Sequence, residues 1–148
     1  MKKKIPIILF CVALVLISIN RCSNSKIGKK SDVQISQSDV SLTIKDGTLT
    51  NKNATLILKN NSDKTVVYGN GYDIEIKKHG EWYKMNSSDR WFTLSSSFLN
   101  VRESKEIEVS LEYGYGKLRK GTYRIIKDMA YESEEHKRFN VAVEFTIK

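Results

Sequence analysis

The most conspicuous chemical pattern in the sequence is the stretch YGYGKLRKGTYRII at residues 113–126. Tyr113, Tyr115 and Tyr123 are interleaved there with lysine, arginine and glycine. Aromatic side chains among cations can form a platform that stacks nucleic-acid bases and neutralises phosphates. The same residues can also form a purely structural turn between β-strands, since glycine and tyrosine both have structural uses there.

The distribution of charge argues against a nucleic-acid partner. The chain has a formal charge of +8, but residues 1–30 contain seven basic and no acidic side chains. The rest of the chain has 18 basic and 17 acidic residues and is therefore nearly neutral. A nucleic-acid-binding domain needs its cations on the folded surface, so we expect no nucleic-acid partner.

The sequence has few groups suited to catalysis or metal binding. His79 and His136 are its only histidines, and Cys11 and Cys22 are its only cysteines. Two isolated histidines without a cysteine partner do not form a zinc motif. No G-x-S-x-G segment presents a serine nucleophile, and the aspartates lack calcium-loop spacing. We therefore expect no enzyme activity, no cofactor and no metal site.

The first 22 residues have the pattern of an export signal. Lys2–Lys4 precede an almost unbroken apolar run, Ile5–Ile19, and Cys22 follows. Fifteen apolar residues suit the core of a signal peptide and fall short of the ~20 that span a bilayer comfortably. The segment resembles a bacterial lipoprotein signal, in which the cysteine is lipidated after cleavage, and Cys22 is the predicted lipidation site.

Arg21 departs from that pattern, because a small residue normally precedes the lipidated cysteine. Two alternatives stay open: cleavage near Ser25 with release of the protein, and an uncleaved N-terminal anchor. All three place the domain outside the cytoplasm. We expect it to be anchored to the cell membrane, with secretion as the alternative.

Beyond the leader, the sequence predicts a polar tether at residues 23–37 and one β-domain at residues 38–148. Period-two alternation recurs from Val40 onward, as in VSLTIKD and RFNVAVEFTIK, with turn residues between the segments. No stretch has a sustained helical period. The spacing predicts an all-β, antiparallel Greek-key sandwich of seven to nine strands. Because no cysteine follows Cys22, this sandwich has no disulfide.

Leu118, Gly121 and Tyr123 form the pattern L-x-x-G-x-Y. This pattern is typical of a tyrosine corner, in which the ring enters the core and the hydroxyl bonds to backbone a few residues upstream. In an immunoglobulin domain the second cysteine would lie two residues later. Ile125 occupies that position here, in agreement with the absence of a disulfide.

These residues resemble a bacterial immunoglobulin-like domain found in small exported, lipid-anchored proteins of Gram-positive bacteria. The resemblance covers about residues 38–148 and is carried by VSLTIKDGTLT, ATLILKNNSDKTVVYGNGYDIEI, GEWYKM and YGYGKLRKGTYRIIKDM. It implies an immunoglobulin-like sandwich. It assigns no catalytic or binding residue to this chain.

Aromatic residues near loops are the candidate recognition residues. Trp91, Tyr113 and Tyr115 border predicted turns, where sandwiches carry recognition. The structural alternative is that Trp91 and Tyr115 close the two ends of the core.

The sequence therefore predicts a non-catalytic module that binds or scaffolds an envelope protein or a wall component. The alternative function is an accessory or inhibitor-like module that acts on a secreted enzyme or a membrane sensor.

Overall fold

The computed structural model describes residues 26–36, 39–134 and 136–148. Cys22 and the predicted signal peptide at residues 1–22 lie outside these residues. The described part of the chain contains no helix long and apolar enough to cross a membrane. Its strands are β1 (Ile27–Lys30), β2 (Val40–Ile44), β3 (Asn53–Asn60), β4 (Val66–Gly69), β5 (Asp73–Lys78), β6 (Glu81–Met85), β7 (Ser96–Leu99), β8 (Ser104–Ser110), β9 (Gly121–Tyr131) and β10 (Arg138–Ile147).

Two antiparallel sheets form a sandwich. In the large sheet, β10 pairs with one edge of β9, and β5 and β4 pair one after the other with its opposite edge. β6 and then β1 continue the sheet beyond β5, and β7 continues it beyond β4. The small sheet has the order β2-β3-β8. The chain passes from the small sheet to the large one after β3 and returns for β8. This confirms the predicted all-β, antiparallel sandwich without a disulfide.

Alternation along the strands builds the core. Leu56 and Leu58 of β3 belong to the same buried cluster as Ile125 and Met129 of β9, and all four are fully buried. On β2, Val40 and Leu42 are buried while Ser41 is exposed. Burying alternate apolar side chains in this way supplies most of the stabilisation of a domain that has no disulfide.

A two-residue turn joins β5 to β6. Lys78 pairs with Glu81, and His79 and Gly80 between them have φ values of 51° and 82°. Positive φ at both positions is the geometry of a type I′ turn, whose twist matches that of the flanking strands. His79 therefore has a turn position on the surface.

The strand count is ten in the described residues, against the predicted seven to nine. Two strands were not anticipated, β1 and β4. β4 is only four residues long, and the glycine-rich segment 69–72 interrupts the pairing with β9 before β5 begins. Residues 91–95, within the irregular stretch WFTLSSSFL, form a loop, and only Ser96–Leu99 is a strand.

The N-terminal strap, residues 26–36, differs from the predicted tether. Residues 27–30 are β1, which pairs with β6. Beyond β1, Ser31 N donates to Trp82 O at 2.8 Å, and Ser36 N donates to Asn140 O at 3.0 Å. The strap therefore packs across the outer face of the large sheet, because its backbone finds hydrogen-bond partners there.

Candidate functional site

The loop between β6 and β7, residues 86–95, presents the most exposed apolar side chains among the described residues. We call it the recognition loop. Trp91 is 84% exposed and Leu94 is fully exposed. Side chains exposed to this degree gain little from burial in the fold, and tryptophan is among the residue types that dominate protein interfaces.

Arg90 fixes one side of the recognition loop to the sandwich. Its Nη1 donates to Tyr72 O at 2.6 Å, and its Nη2 lies 2.8 Å from Asp73 Oδ1. The guanidinium carbon also lies 4.4 Å from the centre of the Tyr115 ring and 5.3 Å from that of Phe92. A nearly buried arginine among aromatic faces is a strong, directional anchor.

The 113–116 turn holds the backbone of the same loop. Trp91 N donates to the hydroxyl of Tyr113 at 2.8 Å, and Ser88 N donates to Gly114 O at 2.8 Å. Gly114 has a φ of 76°, and a Cβ there would collide with the Arg90 side chain. The glycine therefore allows the turn and the loop to approach this closely.

Asn70 fixes the other side of the recognition loop. Its Nδ2 donates to Thr93 Oγ1 at 2.6 Å and to Ser95 Oγ at 3.1 Å. Trp91 and Leu94 therefore project from a loop that is attached on both sides. Such preorganisation lowers the entropy that a binding surface loses when a partner arrives.

Asn70 owes its position to a bulge between β4 and β5. Both strands pair with the same edge of β9: Tyr68 lies opposite Met129, and Asp73 lies opposite Ile126. Four residues, 69–72, thus oppose only two on β9. Bulges of this kind redirect side chains and are common beside functional sites.

The side chain of Lys127 stabilises this bulge from the core side. Its Nζ donates to Gly69 O and to Gly71 O, each at 2.9 Å. Neither Gly69 nor Gly71 is in register with a residue of β9, so Lys127 supplies hydrogen bonds where that ladder is interrupted. The sequence carries a signal of this bulge, since Gly-Asn-Gly inside a strand pattern is typical of one.

A polar cleft of about 590 Å³ adjoins the recognition loop on the outer face of the large sheet. Its lining includes three carboxylates, Asp73, Asp89 and Asp128. Two of them are paired, since Arg90 bonds to Asp73 and Arg138 bonds to Asp128. Within the described ranges, no group of three or more histidine, cysteine, aspartate or glutamate side chains is arranged to hold a metal ion.

The structure separates the three predicted recognition aromatics. Trp91 is exposed and Tyr113 is partly exposed, and both belong to the recognition loop and its support. Tyr115 is only 2% exposed, and its hydroxyl accepts a bond from Ile74 N at 3.0 Å. The prediction that Tyr115 contacts a partner is therefore wrong, because its ring lies in the core beneath Arg90. Trp91, conversely, does not close an end of the core.

Tyr123 has the contact that the L-x-x-G-x-Y pattern predicts. Its hydroxyl donates to Arg119 O at 2.8 Å, and its ring stacks on Phe145. Leu118 is buried beside it. A Cβ at Gly121 would lie 3.3 Å from the Tyr123 ring, so the glycine makes room for the ring. Much of the 113–126 stretch is therefore architectural.

Of the comparisons with known proteins, the one with family models agrees with this fold. No curated protein matches the chain. Among solved structures, the ASH/PapD-like domain of human CEP192 (PapD-like domain 7) is similar, with 12% identity, a TM-score of 0.35, and coverage of 77% of this chain and 92% of that chain. A protein from Archaeoglobus fulgidus is similar with 16% identity, a TM-score of 0.29, and coverage of 76% and 98%. The family model of a bacterial Ig-like domain matches residues 36–146. The chain therefore belongs to the bacterial Ig-like domain family.

Proposed function

We propose that this protein is a non-catalytic recognition module of the bacterial cell envelope, which binds a partner protein through the recognition loop. The observation that carries the proposal is the exposure of Trp91 and Leu94 on a loop attached on both sides. Tryptophan is enriched among the residues that dominate protein interfaces. The polar residues around it, Asn70 and Thr93, fit the rim of such an interface.

The alternative function, an accessory or inhibitor-like module acting on a secreted enzyme or a membrane sensor, would use the same loop. The two differ in the identity of the partner. A wall polymer is the other candidate occupant of this surface, since the adjacent cleft is lined by carboxylates, serines and arginines.

Photo-crosslinking in cells tests the partner. A photoreactive residue placed at Leu94 should form a discrete adduct with one protein, because that side chain is fully exposed. The same residue at Lys59, which is exposed on the small sheet, is the matched control and should give no adduct. A product linked only to wall polymer, or identical products from both positions, would contradict the proposal.

Trp91→Ala should weaken binding of that partner by about 30-fold, the ~2 kcal/mol that defines an interface hot spot. The stability of the domain should not change, since the indole is exposed. Val101→Ala, which truncates another exposed apolar side chain, is the control and should retain binding. The measurement is the dissociation constant by titration calorimetry, and equal constants for both variants would exclude a central role for Trp91.

We also propose that a lipid on Cys22 anchors the module outside the cytoplasmic membrane. The Lys2–Lys4 start, the apolar run Ile5–Ile19 and the polar residues after Cys22 support this. As a helix, the run would span only ~22 Å of a ~30 Å hydrocarbon core. Lipidation would supply the anchorage that so short a segment provides poorly.

Cys22→Ser should remove the acyl label and leave the leader uncleaved. Fractionation and metabolic lipid labelling measure both effects. Wild-type and variant chains that both stay unlabelled and full-length in the membrane would identify a signal anchor. Wild-type protein found in the medium, beginning near Lys26, would show that the protein is secreted.

A further inference from the structure

A second surface is lined by residues of the strap, β5, β6, β9 and the 117–120 turn, and shares no residue with the recognition loop. It is a groove of about 410 Å³ whose rim consists of five cations, Lys26, Lys78, Lys117, Arg119 and Lys120. No carboxylate lines it. We call it the basic groove. The near-neutral charge of the domain as a whole conceals this local concentration.

The rim cations are available to a ligand. Lys78, Lys117, Arg119 and Lys120 are exposed, and none of them forms an ion pair with a described carboxylate. Elsewhere many lysines are paired, as Lys45 is with Glu106. Clustered like charges without counterions raise the local potential and attract anions.

The floor of the groove is apolar. Ile27 and Met85 are half-buried at the edge of the large sheet, and Leu118 and Tyr123 close the floor below them. Lys26 Nζ donates to Tyr115 O at 2.9 Å, which holds the strap against this side. An apolar floor beneath a cationic rim matches an anionic amphiphile better than a fully hydrated anion.

The position of the groove along the chain points to a membrane. Lys26 is four residues after Cys22. Four fully extended residues span at most ~14 Å, so a less extended link would keep Lys26 within about one Debye length, ~8–10 Å in physiological salt, of Cys22. If the chain is anchored as proposed above, the basic groove lies within electrostatic reach of the lipid headgroups.

We propose that the basic groove binds an anionic phospholipid of the membrane that carries the protein. The headgroup phosphate bonds to Lys117, Arg119 and Lys120, and the first part of an acyl chain packs on Ile27 and Met85. Each cation near an anionic surface strengthens association by about fivefold. This contact holds one side of the domain on the membrane.

Hydrogen exchange on the full chain, reconstituted into vesicles and isolated by flotation, tests the proposal. We expect the amides of residues 117–120 to exchange at least tenfold more slowly in vesicles with 30% phosphatidylglycerol than in pure phosphatidylcholine vesicles. The variant Lys117→Gln/Arg119→Gln/Lys120→Gln should bind on the order of 100-fold more weakly and lose this protection. It keeps the Arg119 carbonyl that Tyr123 needs, so the fold is retained.

The variant Lys45→Gln/Lys59→Gln/Lys137→Gln is the control. It removes the same charge from exposed positions outside the groove and should keep the protection. Equal exchange in both vesicle types, or loss of protection in both variants, would overturn the proposal. Protection by inorganic phosphate in phosphatidylcholine vesicles would assign the groove to free phosphate instead. A chain that floats with neither vesicle type would contradict both the lipid anchor and lipid binding by the basic groove. A chain that floats without protection of residues 117–120 would contradict only lipid binding by the basic groove.

Discussion

Glu75→Ala should lower the free energy of unfolding by about 3–5 kcal/mol, the typical cost of leaving one member of a buried ion pair without its partner. Glu75 is 1% exposed, and its Oε2 accepts from Arg124 Nε at 2.8 Å and lies 2.6 Å from Nη2. The guanidinium lies over the Trp82 ring, with 4.6 Å between its carbon and the ring centre. Without Glu75, Arg124 would keep its charge in this covered position. Urea unfolding of residues 26–148 measures the change.

Two variants separate burial from simple charge pairing. Glu106→Ala breaks the exposed pair with Lys45 and should cost less than ~1 kcal/mol. The double variant Glu75→Leu/Arg124→Met should recover most of the stability lost in Glu75→Ala, since apolar residues can replace a buried pair at little cost. A loss below 1 kcal/mol for Glu75→Ala would show that the pair is solvated and that the strap does not cover it.

The unfolding free energy should rise by about 2 kcal/mol between pH 7 and pH 9.5 because of Lys127. Burial lowers the pKa of the Lys127 ammonium from 10.5 to about 8. Between these two values the unfolded chain binds more protons than the folded one, so raising the pH favours folding. Below pH 8 the ammonium is charged in both states, and its desolvation opposes folding in full.

The pH range of this experiment ends at 9.5 because unfolded tyrosines begin to lose their protons near pH 10. Burial raises the pKa of Tyr115 to about 12, so the folded state retains that proton longer and stability falls again above about pH 10. Lys127→Met should flatten the profile between pH 7 and pH 9.5, whereas Lys59→Met, at an exposed position, should preserve the rise. A flat profile in the wild-type domain would mean that the ammonium is not desolvated.

Lys127 also connects the core of the sandwich to the recognition loop. It satisfies the carbonyls of the bulge that positions Asn70, and Asn70 fixes the recognition loop. A substitution at Lys127 should therefore change the position of Trp91, because the bulge and the recognition loop are linked through Asn70. Surface loops that carry recognition depend in this way on the rigid elements beneath them.

The amino-acid sequence by itself determined the pattern of strands and the local tyrosine corner at Tyr123. Alternating apolar residues specify the face of each strand that is buried, and this information is local because side chains alternate strictly along a strand. The hydroxyl bond of Tyr123 likewise spans only four residues. The absence of a disulfide in the domain follows directly from the positions of the cysteines.

The tertiary structure alone decided which aromatic and charged residues are accessible. Trp91 and Tyr115 are of similar type and both border turns, yet one is exposed and the other buried. The difference arises because Arg90, from a distant loop, covers Tyr115. Glu75 is buried although it lies on the outward face of its strand, where Ser31 of the strap and Arg124 both bond to its carboxylate.

The basic groove is the clearest case of a non-local property. Its cations come from residues 26, 78 and 117–120, whose separation in the sequence hides their proximity. The composition gives only the net charge of the chain, in which acidic residues on other surfaces offset these cations. The potential at a surface depends on distance between charges in space, and only the pairing of β1, β5 and β6 around the 117–120 turn brings these five together.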